Sequence, residues 1–428
     1  MIRVPLADLP AHVGEDVSIA GWVHALRLQR AMQFVVLRDH TGTVQLTWRR
    51  DGGPIEKALE GLTAESAVRV TGRVAANDQV KAGGIEVFPA EVTVEALAEA
   101  PLPLDDRTGP EGRLDWRFLD VRRHPERSLV FAVQSTVERA MREFAYREGC
   151  TEMHTPKLMG SASESGAEVF KLGYFGGSAY LAQSPQFYKQ MAIAAGIDRV
   201  FEIGPVFRAE PSFTSRHATE FTGVDVELAW IDGVEDVMAF EERMLAHVLA
   251  EVASVHGQAI KDSFGVEVRV PAVPFPRVTM ARAQAMAGSD ARGDLDPAGE
   301  RAVAAAVRDS TGHEFVFITE YPASVRPFYH MRPAGQPELT CSFDLLWNGL
   351  EITTGAQREH RYDILMAQVA QKGLSAEPMR RYLDCFRFGC PPHGGLGLGL
   401  GRLLMALLGL ESIRDATFLF RGPNRLAP

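Results

Sequence analysis

The sequence predicts an α+β protein in two parts. An all-β domain over residues 1–97 is joined by a linker over 98–127 to a larger domain of mixed strands and helices over 128–428. Three observations carry that reading. Within the first hundred residues, four stretches alternate apolar and polar side chains and are rich in β-branched residues. The stretch "EALAEAPLPLDDRTGPEGRLDWRFLDVRRHPER", residues 95–127, then loses the alternation and fills with Pro, Asp and Arg. Beyond it a long amphipathic helix is followed by strands and helices in mixture, with no internal repeat and no low-complexity tract.

The strands of the first part are carried by "DVSIAGWVHAL", "QFVVLRDHTGTVQLTW", "SAVRVTGRVAA" and "IEVFPAEVTVEAL", with turns at "DHTG", "RDGGP" and "AGG". Five or so strands in that length suit a small barrel such as the OB-fold, which commonly binds single-stranded nucleic acid; a plain interaction module is the alternative. In the second part "SLVFAVQSTVERAMREFAYREG" has helical spacing, and "RVFEIGPVFRAE" and "TGVDVELAWI" read as strands. Residues 255–330, rich in Ala and Arg, are expected to form an insertion, and "RLLMALLGL" to form a late helix.

The 428 residues are 46% hydrophobic and 23% charged, ordinary for a globular chain of two or three domains. No apolar run approaches the roughly 18 residues of a membrane span. The opening "MIRVPLADLPAHVGED" lacks the apolar segment of a secretory signal. Cys150, Cys341, Cys385 and Cys390 form no CxxC and no pattern with histidine, which speaks against zinc and against a disulfide framework. A reduced, cytoplasmic protein is expected. The formal net charge of −10 argues weakly against non-specific coating of nucleic acid, and a local basic face is still compatible with it.

Three segments concentrate chemistry. In "FRAEPSFTSRHATEFTGVDVE", residues 207–227, two strands should flank a long polar loop. Arg208 and Glu210 would share a face of the first strand, Arg216 and His217 would lie in the loop, and Phe221, Asp225 and Glu227 would follow on the second. Such charges are costly in a sheet unless they meet a ligand or each other, so a binding site and an internal ion-pair lattice both stand. In "FDLLWNGLEITTGAQREHRYD", residues 343–363, Asp344 and Glu351 lie across an expected turn at "WNG". With Thr354 they can bind magnesium, or the hairpin is a surface one with scattered charges; Arg358 follows. "HGGLGLGLGR", residues 393–402, looks like a nucleotide loop but is not a P-loop, and its GxGxxG match fails at Arg402. Alone it reads equally as a glycine-rich turn into a helix. Together the segments suit a nucleoside triphosphate, with arginines for phosphates, carboxylates for magnesium and an aromatic for the base.

On these motifs the chain resembles class II aminoacyl-tRNA synthetases, and within them the aspartyl-tRNA synthetases of the short archaeal and eukaryotic type. "TEMHTPKL" with Pro156 resembles motif 1, at the family's dimer interface. "FRAE…SRHATEF" resembles motif 2, and "GLGLGR" with Arg402 resembles motif 3. The resemblance implies an OB-fold anticodon domain and a catalytic domain built on an antiparallel sheet flanked by helices. It also implies a homodimer that uses ATP, Mg2+, L-aspartate and tRNA(Asp). Arg208 would meet the α-phosphate and, with Arg402, be catalytic. Arg216, His217 and Arg402 would meet the β- and γ-phosphates, and Phe221 would stack under adenine. Glu210 would contact adenine or the tRNA end, and Asp344, Glu351 and Thr354 would serve the metal. Lys189, in "YLAQSPQFYKQ", and Arg358 would bind the aspartate carboxylate, oriented by Asp225, with Glu164 and Gln186 on the ammonium. Arg27, Phe34, Gln45 and Glu86 would read the anticodon.

Departures from the family pattern are "RLQRA" after "GWVHAL", Gly401 where an acid usually precedes the motif 3 arginine, Thr354 for a serine, and the tail "LFRGPNRLAP" around Arg421. An asparaginyl enzyme and a non-catalytic tRNA-binding paralogue are the alternatives; Lys189 speaks against the first and intact Arg208, Glu351 and Arg402 against the second. Some members charge tRNA(Asp) alone and others also tRNA(Asn). The contacts that decide this lie around His24 and residues 80–85, and both readings stay open, with the relaxed type preferred.

Overall fold

The structure is a computed structural model that describes residues 2–81, 83–161, 169–211, 214–288 and 293–427. It divides into two compact units, Met1–Ser128 and Leu129–Pro428.

The first unit is a closed barrel of β1 (Asp16–Leu28), β2 (Met32–Arg38), β3 (Thr43–Arg49), β4 (Ala67–Ala76) and β5 (Ile85–Ala96), in the order β1-β2-β3-β5-β4. Neighbours run antiparallel except β3 with β5. Period-two alternation sorts the side chains: Val35, Leu37, Val44 and Leu46 fill the core with Ile19, Val70 and Val87. The residues between them face outward. The segment expected as a linker instead carries two short helices, Pro110–Asp115 and Arg117–Arg123. Its arginines have a structural use. They converge on Asp120, which has no exposed surface. Arg117 lies at 3.2 Å, Arg127 at 3.3 Å and His124 at 3.2 Å from its carboxylate.

The second unit is built on β6 (Thr151–Glu152), β7 (Leu158–Met159), β8 (Lys171–Tyr174), β9 (Gly177–Leu181), β10 (Arg199–Phe207), β11 (Glu220–Ala229), β12 (Arg277–Thr279), β13 (Phe315–Thr319), β14 (Ser342–Trp347), β15 (Leu350–Gln357) and β16 (His393–Gly399). Eight of these form one sheet in the order β12-β13-β14-β15-β16-β11-β10-β6, and β7-β9-β8 form a second. The large sheet is antiparallel from β13 to β10, and its edge strands β12 and β6 pair in parallel. A helix of 31 residues, Val234–Phe264, buries Val237, Phe240, Leu245, Val248 and Val252 and packs on β15 and β16.

Residues 255–330 are not a separate insertion. Residues 255–264 finish that long helix, and β12 and β13 extend the main sheet. Helices Met280–Ala287 and Pro297–Thr311 share a core with them through Val278, Val303, Val307 and Ile318. The helical spacing was there to read. The strands beside it are three and five residues long, too short for alternation to register.

Candidate active site

A cavity of about 270 Å³ opens on the large sheet. Gln186, Lys189, Asp225 and Arg358 line it together with Arg208, Glu210, Arg216, His217, Phe221, Glu351, Thr354 and Arg402. Residues far apart in sequence meet because β11, β15 and β16 are adjacent strands. Helix Gln186–Ala194 adds Gln186 and Lys189, three apart and so on one helix face. Arg402 projects from the first turn of helix Leu400–Leu408, directly after β16.

The glycine-rich stretch is therefore mostly strand, and its glycines answer to neighbours in the sheet. Gly395 pairs with Glu227 and Gly397 with Asp225. A Cβ on Gly395 would lie 2.2 Å from the Glu227 carboxylate and 2.1 Å from the Val226 carbonyl oxygen. The missing side chains leave room for carboxylates to lie across the strand. The lattice that fills this room is buried. Lys189 Nζ lies 3.0 Å from Asp225 Oδ1 and 3.3 Å from Glu227 Oε2. Arg358 holds the other side of Glu227, with Nε donating to Oε1 at 2.9 Å. Burial alone would raise the Glu227 carboxyl, but Arg358 and Lys189 outweigh it and hold the group below the usual carboxylate range. The charges form an internal ion-pair lattice, and Lys189, Asp225 and Arg358 of that lattice also line the cavity.

Arginines stand along the rest of the cavity. Strand β10 ends at Phe207, so Arg208 and Glu210 lie beyond it in the loop rather than on a strand face. They are 3.7 Å apart, and the Arg208 guanidinium sits 5.5 Å from the Phe221 ring centroid. Arg216 pairs with Glu300 of helix Pro297–Thr311 at 2.7 Å. Burial pushes the Glu300 carboxyl up, with Arg216 opposing. His217 contacts Thr214 and Glu210, and burial together with the Arg402 charge keeps its imidazole below its ordinary pKa. Arg402 reaches Glu351 at 3.3 Å.

The metal candidates divide. Strands β14 and β15 join through Asn348 and Gly349, whose φ values of 50° and 81° suit a two-residue hairpin turn. A register shift makes Ile352 an extra residue on β15, so Leu346 faces Glu351 while Asp344 faces Thr354. The bulge brings Glu351 and Thr354, three apart, onto one face, 3.5 Å from each other. Asp344 is bound by Arg326 at 2.6 Å and does not line the cavity. Among the described residues, no group of three His, Cys, Asp or Glu is placed to hold a metal. Glu164 lies outside the described residues, and Pro156 is exposed between β6 and β7.

In the barrel, Arg27 pairs with Phe34, Phe34 with Thr47, and Gln45 with Glu86, which puts all of them on one outer face. Glu86 is fixed by Thr47 at 2.5 Å, Asn77 at 2.8 Å and Gln45 at 3.4 Å. His24 contacts Arg38 at 2.7 Å, and its pKa is lowered by burial and by that charge. Of residues 80–85, Ala82 lies outside the described set.

Sequence reasoning missed Arg326, Tyr329 and His330 of the cavity and gave no role to Glu227. Glu227 had a signal, its shared face with Asp225. The other three sit in an irregular segment inside the supposed insertion.

Residues 109–421 match the family described as tRNA synthetases class II (D, K and N), and residues 17–95 match OB-fold nucleic acid binding domain. Over 433 residues the chain is 43% identical to the aspartate–tRNA(Asp/Asn) ligase of Methanopyrus kandleri, covering 98% of this chain and 97% of that one. It is 40% identical over 427 residues to the aspartate–tRNA(Asp) ligase of Thermococcus kodakarensis, covering 97% of each. Among solved structures, asparaginyl-tRNA synthetase from Pyrococcus horikoshii with asparaginyl-adenylate matches at a TM-score of 0.92 and 31% identity over 100% of both chains. Aspartyl tRNA synthetase from Entamoeba histolytica matches at 0.89 and 30%, over 100% of this chain and 93% of that one.

Proposed function

The chain belongs to the class II tRNA synthetases of the D, K and N group, and from that premise we propose how its cavity works as an aspartate–tRNA ligase. The enzyme activates L-aspartate with ATP and transfers it to the 3′ end of tRNA(Asp). We extend the substrate to tRNA(Asn), because several relatives are named aspartate–tRNA(Asp/Asn) ligases. It acts in the cytoplasm as a homodimer, with Pro156 near the contact.

The observation that carries the aspartate reading is the pair of buried cations, Lys189 and Arg358, in the cavity that also holds Arg208 and Arg402. The α-carboxylate of aspartate attacks the α-phosphorus of ATP, the bond to the bridging oxygen breaks, and pyrophosphate leaves. The attacking group is already ionised, so no side chain has to remove a proton. The work is positioning and charge stabilisation. Arg208 holds the α-phosphate, and Arg216, His217 and Arg402 hold the outer phosphates. Phe221 carries the adenine, with Glu210 at its edge. Gln186 and Glu164 hold the substrate ammonium. The ribose hydroxyl of the tRNA terminus then takes the aspartyl group, and AMP leaves.

Glu351 and Thr354 give a hard oxygen pair that fits Mg2+, an ion that takes most of its ligands from phosphate and water. When bound it would neutralise phosphate charge; Asp344, engaged with Arg326, stands behind that pair. The test is exchange of labelled pyrophosphate into ATP, run with aspartate and with asparagine. Exchange with aspartate alone is expected, and exchange driven by asparagine would replace this reading with the asparaginyl one.

A further inference from the structure

Gln186 lines the cavity, and a chain of buried hydrogen bonds behind it decides which end of its amide the cavity meets. A side-chain amide has an acceptor oxygen and a donor nitrogen of nearly the same shape, so on its own it can present either. Gln186 opens helix Gln186–Ala194, and Gln190 follows one turn later on the same face. Gln186 Nε2 donates to Gln190 Oε1 at 2.9 Å. Tyr382, of helix Arg380–Asp384, donates its hydroxyl to the same oxygen at 2.8 Å. Gln190 Nε2 meets His393 Nε2 at 2.9 Å, and His393 Nδ1 lies 2.8 Å from the Pro391 carbonyl oxygen. All four side chains are buried, Gln190 and His393 completely.

The direction of the chain follows from its far end. A carbonyl can only accept, so the hydrogen of the neutral His393 ring sits on Nδ1 and Nε2 is an acceptor. The Cys390 sulfur, 3.8 Å from Nδ1, is a weak partner beside that carbonyl. Burial lowers the pKa of the ring, which favours the neutral form. Gln190 then turns its nitrogen to His393 and its oxygen to Gln186, and Gln186 turns its nitrogen inward. Gln186 Oε1 bonds to no described residue and is not one of the sealed polar atoms, so it is open to the cavity that Gln186 lines.

We propose that His393 and Gln190 form a polarity relay that fixes the Gln186 oxygen as an acceptor toward the cavity, and so fits Gln186 to the ammonium of the bound amino acid. The inference rests on the aspartate reading above, in which Gln186 takes that group. An ammonium carries donors only, and a reversed amide would set its own N–H groups against them. His393 and Gln190 touch no substrate and are positioning residues.

Gln190→Glu and Gln190→Met separate polarity from packing. The carboxylate offers only acceptors and still takes the Gln186 nitrogen, whereas the thioether matches the length and leaves that nitrogen unheld. A packing role predicts that Met is tolerated and a buried charge is not. The relay predicts the reverse order for the KM of aspartate in pyrophosphate exchange: a rise of about fivefold or more in Gln190→Met and a clearly smaller one in Gln190→Glu. The inhibition constant of succinate, the same dicarboxylate without the ammonium, should move in neither variant. Equal rises, the opposite order, no change in either variant or a matching weakening of succinate would each overturn the proposal. If either variant fails to fold, the wild-type chain decides. The 15N spectrum of the histidine-labelled enzyme should show His393 with its proton on Nδ1, and an Nε2–H tautomer or a charged ring would overturn the proposal. Failure of the wild-type enzyme to exchange with aspartate would bring down the underlying reading instead, and it is seen before either variant is made.

Discussion

Glu227 has no exposed surface and two cations on it, while Arg208 keeps 41% of its side chain open to solvent. The two residues therefore fail differently when their surroundings change. Lys189→Met strips one cation from a lattice that holds two buried carboxylates. It should cost about 3–5 kcal/mol of stability, read by denaturant unfolding, and abolish aspartate-dependent exchange. Arg208→Ala removes an exposed group with one loose ion pair. Its unfolding curve should stay close to wild type while exchange falls by at least about 10²-fold. Near-normal exchange in Arg208→Ala would remove Arg208 from the α-phosphate. The histidines divide in a related way: the pKa values of His217 and His330 are both lowered, the first half-buried near Arg402, Arg216 and Arg208 and the second buried beside Arg358.

The long helix Val234–Phe264 brings one carboxylate, Glu241, fully into the core. Burial pushes its pKa up to about 8. Between the unfolded value near 4.5 and about 8, the folded chain holds a proton that the unfolded chain has lost, so this group's contribution declines as pH rises through that window. Glu241→Gln removes the titration. Its stability relative to wild type should climb from pH 5 to pH 8 and level off above, and a flat difference would show that Glu241 is ionised in the fold. The hairpin of β14 and β15 shows how far an element can be read from residues. "WNG" marked the turn, because Asn-Gly accepts the two positive φ values. The bulge at Ile352 was invisible, since nothing in "LEITTG" says that one residue is extra, and without it alternation would set Glu351 and Thr354 on opposite faces. The ion pair on Asp344 was out of view for a similar reason: its partner, Arg326, is 18 residues away in an irregular segment.

The whole chain folds as two compact units. The barrel was legible because its strands alternate cleanly, and the cavity because its charged residues stand in strand segments where a sheet would otherwise exclude them. The parallel edge strands and the weaving of residues 255–330 into the sheet were not legible, because they depend on pairings between segments too short to carry a pattern. If the outer face of β2 and β3 reads the anticodon, Phe34→Ala should lower aspartylation of tRNA about tenfold or more while leaving pyrophosphate exchange intact. A loss of both together would mean that Phe34 serves folding instead. The central claim is the identity of the amino acid placed on tRNA. It is tested most directly by incubating the enzyme and ATP with tRNA(Asp) and tRNA(Asn) transcripts, each with labelled aspartate and with labelled asparagine. The account predicts aspartate on tRNA(Asp), and on tRNA(Asn) as well, with asparagine on neither; asparagine on either transcript would contradict it.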